Sequence, residues 1–172
     1  MEAHLRRERI LDTIIKQETP VSASFLANTL SVSRQVIVGD IALLRAQGNE
    51  IIATTRGYMI PEYKDKNKYI GKIACRHAPE DTKNELYTIV DFGAVVINII
   101  VEHEIYGEIT GSLNLIDRND VDMFICKVET LQAKLLSELT MGVHLHTIAC
   151  SNKIVFEQVC KTLSVRGYLY LS

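Results

Sequence analysis

The apolar positions of residues 1–61 recur with a helical period in three successive stretches. Leu5, Ile10, Leu11, Ile14 and Ile15 stripe one face of a helix over His4–Gln17, with Arg6, Arg7, Arg9 and Lys16 among its polar positions. Glu18-Thr19-Pro20 ends it, because a proline and the residue before it resist helical geometry. A second, shorter helix starts from the cap Ser22 and runs through Phe25, Leu26 and Leu30. After the tight connection Ser31-Val32, Ser33 caps a third helix over Arg34–Gln47, whose Ile37, Ile41 and Leu44 share a face and which Gly48 terminates. The β-prone segments Glu50–Thr54 and Gly57–Ile60 then flank a turn, Thr55-Arg56-Gly57.

Periodicity is lost over Pro61–Lys68, which is polar and charged, and the pattern that resumes is of another kind. Tyr69–His77 reads as a strand, Pro79-Glu80-Asp81 as a helix start, and Thr82–Asp91 as a helix with Leu86, Ile89 and Val90 apolar. The β-branched run Ala94–Val101 is a central strand, and Glu102–Ile109 a turn-bounded segment. Asn114–Asp117 leads through a strand to a cap, and Asp120–Ser137 has helical spacing in Val121, Phe124, Val128, Leu131 and Leu135. Leu139–Ile148 is a strand, Asn152 caps a helix over Lys153–Leu163, and Gly167–Leu171 alternates as a terminal strand. The fold class is α+β: a winged helix-turn-helix domain over 1–61, a linker over 62–68, and over 69–172 an α+β domain with an antiparallel or mixed sheet covered by helices on one side.

Three helices followed by a hairpin give a winged helix, whose third helix enters the major groove of DNA while the wing reaches the backbone or the minor groove. Ser33, Arg34 and Gln35 occupy the leading turn of that helix and Arg56 the wing tip: Ser suits phosphate, Arg guanine or phosphate, Gln adenine. Gly39 interrupts the helix at a cost of roughly 0.5–1 kcal/mol relative to Ala, which fits either a close backbone approach or a tolerated position. Charge does not decide the matter. Residues 1–61 hold seven Lys and Arg against six Asp and Glu, and residues 62–172 twelve against fifteen, so the net −2 comes from the second part. Small winged helices also serve as protein adaptors. At 47% apolar and 23% charged residues the chain can bury a proper core, and its longest apolar run, Ala94–Val101, is too short for a membrane span. No membrane is expected, and four cysteines without a C-x-x-C pair fit reduced thiols in the cytoplasm.

The least ordinary feature is His144-Leu145-His146 in an apolar run. On a strand, residues two apart share a face, so the two imidazoles stand side by side and offer two nitrogens to one ion; the same spacing also suits ordinary polar-face residues. His77 ends the first strand of the second domain and Glu85 lies in the first turn of the helix that follows, so both can reach one point. With His144 and His146 they make a set of three nitrogens and one carboxylate, suited to a divalent transition metal: zinc, nickel, iron or manganese. Such a set also supports metal-assisted hydrolysis or oxygen chemistry, with Glu102, Glu104 and Glu108 as candidate bases beside His103, but the attached winged helix points to regulation and not to an enzyme.

Two sets of residues carry a resemblance. Val32–Gly48, followed by Ile51–Thr54 and Arg56–Tyr58, is similar to the winged helix at the front of many bacterial repressors that sense small molecules. Glu85–Gly93, Val101–Ile109, Asp120–Phe124 and Leu139–Ile148 resemble, in order, the motifs of the 3H domain, named for its histidines. Joined to a winged helix, that domain is the architecture of niacin-responsive repressors of NAD-biosynthesis and niacin-uptake genes. The resemblance implies a homodimer on a palindromic operator in double-stranded DNA, nicotinic acid as co-repressor, and a metal held at His77, Glu85, His144 and His146. His103 and Tyr106 are then candidates for the ligand or the metal's surroundings, with stabilisation of the turn a third role for His103. Glu104 stands where the family often has proline, Met141 where it often has glycine, and Gly39 where a longer polar residue is usual. A repressor sensing the metal alone, and a DNA-binding protein whose second domain only dimerises, are the alternatives.

Overall fold

A computed structural model describes residues 2–61 and 67–171. The chain divides into two compact units, one within residues 1–62 and the other within 63–172. Most of the expected linker over 62–68 lies outside the described residues.

The first unit is built from α1 (Ala3–Lys16), α2 (Ala23–Leu30), α3 (Arg34–Ala46) and a two-stranded antiparallel wing, β1 (Ile52–Ala53) with β2 (Tyr58–Met59). The expected caps are in place: Ser22 Oγ accepts the N–H of Phe25, and Ser33 Oγ that of Val36. Ser31 and Gly48 take left-handed conformations where α2 and α3 end. The helical stripes meet in one core of Ile10, Ile14, Leu26, Ile37, Ile41 and Leu44, each worth about 1.5–3 kcal/mol when fully buried. One buried carboxylate interrupts that core. Asp40 on α3 receives both Nε (2.6 Å) and Nη2 (3.3 Å) of Arg6, with Arg7 at 3.6 Å, which ties α3 to α1.

The second unit holds a four-stranded sheet made of β3 (Tyr69–Arg76), β4 (Val95–His103), β5 (Gly107–Leu115) and β6 (Val143–Cys150), in the order β3-β6-β4-β5 with every pair antiparallel. The last strand in sequence is thus a central one, with β3 on one side and β4 on the other. Helices α4 (Thr82–Val90), α5 (Arg118–Thr130) and α6 (Lys153–Val165) contribute Leu86, Ile89, Val121, Val159 and Leu163 to one core with the inward face of the sheet, Ile73, Cys75, Val96, Leu113, Leu115, Ile148 and Cys150. Burying those side chains holds the helices on that face. His144 and His146 share the face of Ile148 and Cys150 by the period of the strand and so lie beneath the helices.

Two expectations are corrected and one is made specific. The helix expected to reach Ser137 stops at Thr130, because Gln132 takes φ 48°; the chain then passes through a 3₁₀ turn, Leu136–Thr140. The segment Glu102–Ile109 is the tip of a long hairpin joining β4 to β5. The terminal strand is reduced to one bridge, Leu169 beside Cys75, because only Tyr168 O and Tyr170 N bond to the edge of β3.

Gly39 is exposed on α3, and a Cβ there would meet nothing within 4 Å. Gly39→Ala therefore raises the stability of the chain by about 0.5–1 kcal/mol, read as an upward shift of the urea midpoint. A fall in that midpoint would mean that the backbone at Gly39 is constrained by something other than helix geometry.

Candidate metal and ligand site

Among the described residues of the second unit, Glu85 is the only buried acid that faces three rings, and its burial is complete. It lies four residues into the stretch that begins at Asp81, on the inward stripe of α4 with Thr82, Leu86 and Ile89. The end of β3 brings His77, whose Nε2 stands 2.7 Å from Glu85 Oε2. From β6 come His144 and His146, with Nε2 at 3.0 and 3.4 Å from Glu85 Oε1. The structure thus brings together all four residues that sequence reasoning placed around a metal.

The other nitrogen of each ring is equally informative. Nδ1 of His77, His144 and His146 lies 2.8 Å from the carbonyl oxygens of Ala78, Gly142 and Asn98 respectively. A carbonyl can only accept, so each Nδ1 carries a proton and, in the neutral ring, each Nε2 presents a bare lone pair. Three lone pairs converging on a carboxylate are all acceptors. Such a cluster repels itself until positive charge enters it, either as protons on the rings or as a metal ion. His77 Nε2, His146 Nε2 and Glu85 Oε2 are buried yet make no hydrogen bond of acceptable geometry with any described residue. Their short separations are therefore approaches of poorly aligned atoms, and the donor set fits a cation held between them. Histidine ligands are typically fixed in this way, by a carbonyl on the far nitrogen.

The electrostatics agree. Burial opposes ionisation of Glu85, but the imidazoles, His146 foremost, hold its carboxyl well below the ordinary carboxylate range. Burial likewise opposes charging His77 and His146, and the Glu85 carboxylate outweighs it and raises both.

One participant is absent from the sequence reading. Cys75 pairs directly with His144 across β3 and β6, and its sulfur, a Glu85 oxygen and a His144 nitrogen all lie within 4.8 Å of one another. Burial first, then the charge of Glu85, push its thiol far above the ordinary value. The available signal was alternation: Cys75 lies two residues before His77 and so shares its face.

Beside the cluster is a cavity of about 260 Å³. His77, Glu85, His144 and His146 form its polar end, while Leu86, Ile99, Leu113, Phe124 and Leu136 are among its apolar walls. The volume is slightly below the roughly 300–1,000 Å³ usual for drug-sized ligands, so it suits one small ring with a substituent. His103 and Tyr106 do not line it. His103 Nδ1 accepts the N–H groups of Ile105 (3.2 Å) and Tyr106 (3.4 Å) and so secures the β4–β5 turn, the third of the roles considered for it. Met141 takes φ 49°, a left-handed conformation that glycine adopts without penalty.

In the first unit, Arg34 and Gln35 are exposed on the first turn of α3, and Ser33 is engaged as its cap with its hydroxyl hydrogen free to donate. Arg56 is half-buried at the wing tip, its N–H bonded to Thr54 Oγ1. These residues have the chemistry of a groove contact. No described helix is long and apolar enough to cross a membrane.

A pH dependence follows for the metal-free chain. The raised pKa values of His77 and His146 contribute stability that is complete below their ordinary value of 6.5 and is lost as pH rises through the folded values. The depressed Glu85 contributes above its ordinary 4.5 and loses that contribution as pH falls. After chelation, the melting temperature is therefore expected to decline as pH rises above about 6.5, and Glu85→Gln to flatten that decline. A melting temperature that rises over this interval would contradict the assignment.

Comparison with known proteins agrees with this architecture. Residues 70–172 match the 3H domain and residues 6–59 an HTH domain. The chain is 39% identical over 166 residues to the transcription repressor NadR of Bacillus subtilis, covering 95% of this chain and 92% of that protein. It is also 39% identical over 168 residues to the probable transcription repressor NiaR of Thermotoga maritima, covering 96% and 95%. With an HTH domain before a 3H domain along nearly its whole length, the chain belongs to the 3H-domain family of transcription repressors, DNA-binding regulators and not enzymes.

Proposed function

We propose that this repressor controls NAD-biosynthesis and niacin-uptake genes, binding operator DNA as a homodimer with nicotinic acid as co-repressor and a divalent transition metal in its second domain. The observation that carries the reading is the convergence of three Nε2 atoms on a buried carboxylate at the polar end of a small apolar cavity. His77, Glu85, His144 and His146 would hold the metal, and zinc, nickel, iron and manganese all accept such a set. When bound, the ion supplies an electron-poor position that a carboxylate or ring nitrogen can join. The chain's own residues do the remainder: the carbonyls of Ala78, Gly142 and Asn98 orient the rings, and the apolar walls exclude water from a planar ring.

The cavity supports this reading over a repressor that senses metal alone, since a bare ion needs no apolar chamber beside it. Two winged helices in a dimer would address half-sites about one helical turn, roughly 34 Å, apart or a multiple of it, with Arg34 and Gln35 at base edges and Ser33 and Arg56 near the backbone. The ligand acts by favouring the dimer geometry that fits the operator, and its effect equals its differential affinity for the two states. Such a regulator works in the cytoplasm, where the operator is.

The test is operator affinity, measured on promoter fragments of NAD-biosynthesis and niacin-uptake genes, with nicotinic acid, with nicotinamide and with neither. Nicotinic acid is expected to tighten binding by about 5- to 150-fold, the usual range of such coupling. Chelation, or Glu85→Gln, removes the effect. Affinity that responds to added metal but to neither pyridine would favour the metal sensor, and affinity indifferent to all three treatments would overturn both.

Metal content gives a second expectation. The purified chain carries about one transition-metal ion, and His144→Ala or Glu85→Gln lowers its affinity by at least the 10- to 100-fold seen when merely supporting groups are lost. Elemental analysis after dialysis reads this directly, and equal content in wild type and both variants would sink the site.

A further inference from the structure

The cavity is lined by polar residues besides the four of the cluster, among them Thr82 and Lys134. The chain leaves α5 at Thr130 and, turned by the left-handed Gln132, lays Ala133, Lys134, Leu135, Leu136 and Ser137 along the cavity as a continuous roof. Lys134 is exposed, so it lies at the mouth, and it forms no ion pair with any described residue. Within the cavity, Thr82 Oγ1 is buried and has no hydrogen-bond partner among the described residues. A buried hydroxyl without a partner loses free energy that a ligand group can restore. Thr82 precedes Glu85 by three residues on α4, so its hydroxyl and the carboxylate lie on the same side of the helix.

The charges lining this space are as uneven as its polarity. Glu85 is its only acid and is already committed to the imidazoles, while Lys134 is a cation with no commitment. An anionic group at the mouth meets attraction from Lys134, and no acid but Glu85 is among the described lining residues. A neutral amide of the same shape meets no such reward. This argument rests on the reading of the cavity as a ligand site and goes further, by assigning which residues choose the ligand. We infer that Lys134 selects a carboxylated planar ring over its neutral amide, with Thr82 Oγ1 supplying a hydrogen bond that both ligands share.

Lys134 is exposed, so replacing it leaves the fold intact. Binding of nicotinate, nicotinamide and benzoate to the full metal-loaded chain is measured by calorimetry, with metal content checked for every variant. Lys134→Met is expected to weaken nicotinate by roughly 2- to 5-fold, the loss of one solvent-exposed charge pair, and to leave nicotinamide unchanged, while Lys134→Arg retains most of the preference. Thr82→Val is expected to weaken nicotinate and nicotinamide alike by about 2- to 10-fold, and, by removing a buried hydroxyl without a partner, to leave the melting temperature of the unliganded chain the same or higher.

The outcomes separate the two readings. If wild type binds nicotinate and Lys134→Met loses both pyridines equally, or neither, the selector is overturned and the niacin reading stands. If wild type binds benzoate but not nicotinate, and Lys134→Met weakens benzoate, the selector stands and nicotinic acid is the wrong ligand. Binding of none of the three to wild type overturns both.

Discussion

A carboxylate removed from water is the constraint on which the second unit depends. Moving an ion of that size into a protein interior costs several kcal/mol even after the surroundings relax, and Glu85 is wholly buried. The cost is offset only by groups that bring positive charge to within contact, and the chain supplies three imidazoles, one just past the end of β3 and two from β6. Neither half is stable alone. Without the rings the carboxylate would be neutralised by a proton, and without the carboxylate two buried rings on β6 would have lone pairs with nothing to face.

Orientation is a separate requirement, and irregular backbone meets it. Each ring's Nδ1 is anchored by a carbonyl from a place where the chain departs from a regular ladder: Ala78 just beyond the end of β3, Gly142 in the left-handed turn before β6, and Asn98 beside the bulge in β4. In a regular strand those oxygens would be used by strand pairing. The bulge also turns the Asn98 side chain onto the N–H of Thr147, which fixes β4 against β6 next to the site. Gly142 has a further role, since a Cβ there would come within 2.4 Å of the carbonyl oxygen of His77. The close approach of two chain segments that carry two of the rings requires glycine at that position.

These features differ in how far the linear chain announces them. Ser22, Ser33 and Asn152 were legible as caps, and Ile37, Ile41 and Leu44 as a buried stripe, because capping and helical period are local. His144 and His146 were legible as a pair for the same reason, through the period of a strand. Cys75 was not, since its meeting with His144 is a matter of register between strands far apart in sequence. Leu131 and Leu135 continue a helical spacing past Thr130 and so mimic a longer helix, yet Leu131 is 74% exposed and Leu135 belongs to the cavity roof. Apolar residues that line a chamber follow its shape and not the period of any element. The bulge at Asn98 escaped for a related reason: an uninterrupted β-branched run carries no sign of where its alternation will slip.

The break after Thr130 also explains why α4 and α5 must keep their mutual position. Helix α4 delivers the floor of the cavity, Thr82 and Glu85, while α5 leads directly into its roof. What clamps the two helices on the outside is a polar network: Arg118 makes bonds of 2.7 and 2.6 Å to Asp91 and lies 4.3 Å from the centre of the Tyr87 ring, Lys83 pairs with Asp122 at 2.9 Å, and the Tyr87 hydroxyl donates to Asp122. These groups are substantially exposed, and exposed ion pairs contribute at most about 1 kcal/mol each, so they fix an angle more than they hold the fold. The apolar contact beneath them, Leu86, Ile89 and Val121, is what resists separation. The cavity residues carried by α4 and by the segment after α5 are therefore held at a separation set by an apolar contact inside and a weak polar clamp outside. A small ligand among those residues would touch segments attached to both helices at once, which is the placement a sensor of the proposed kind needs.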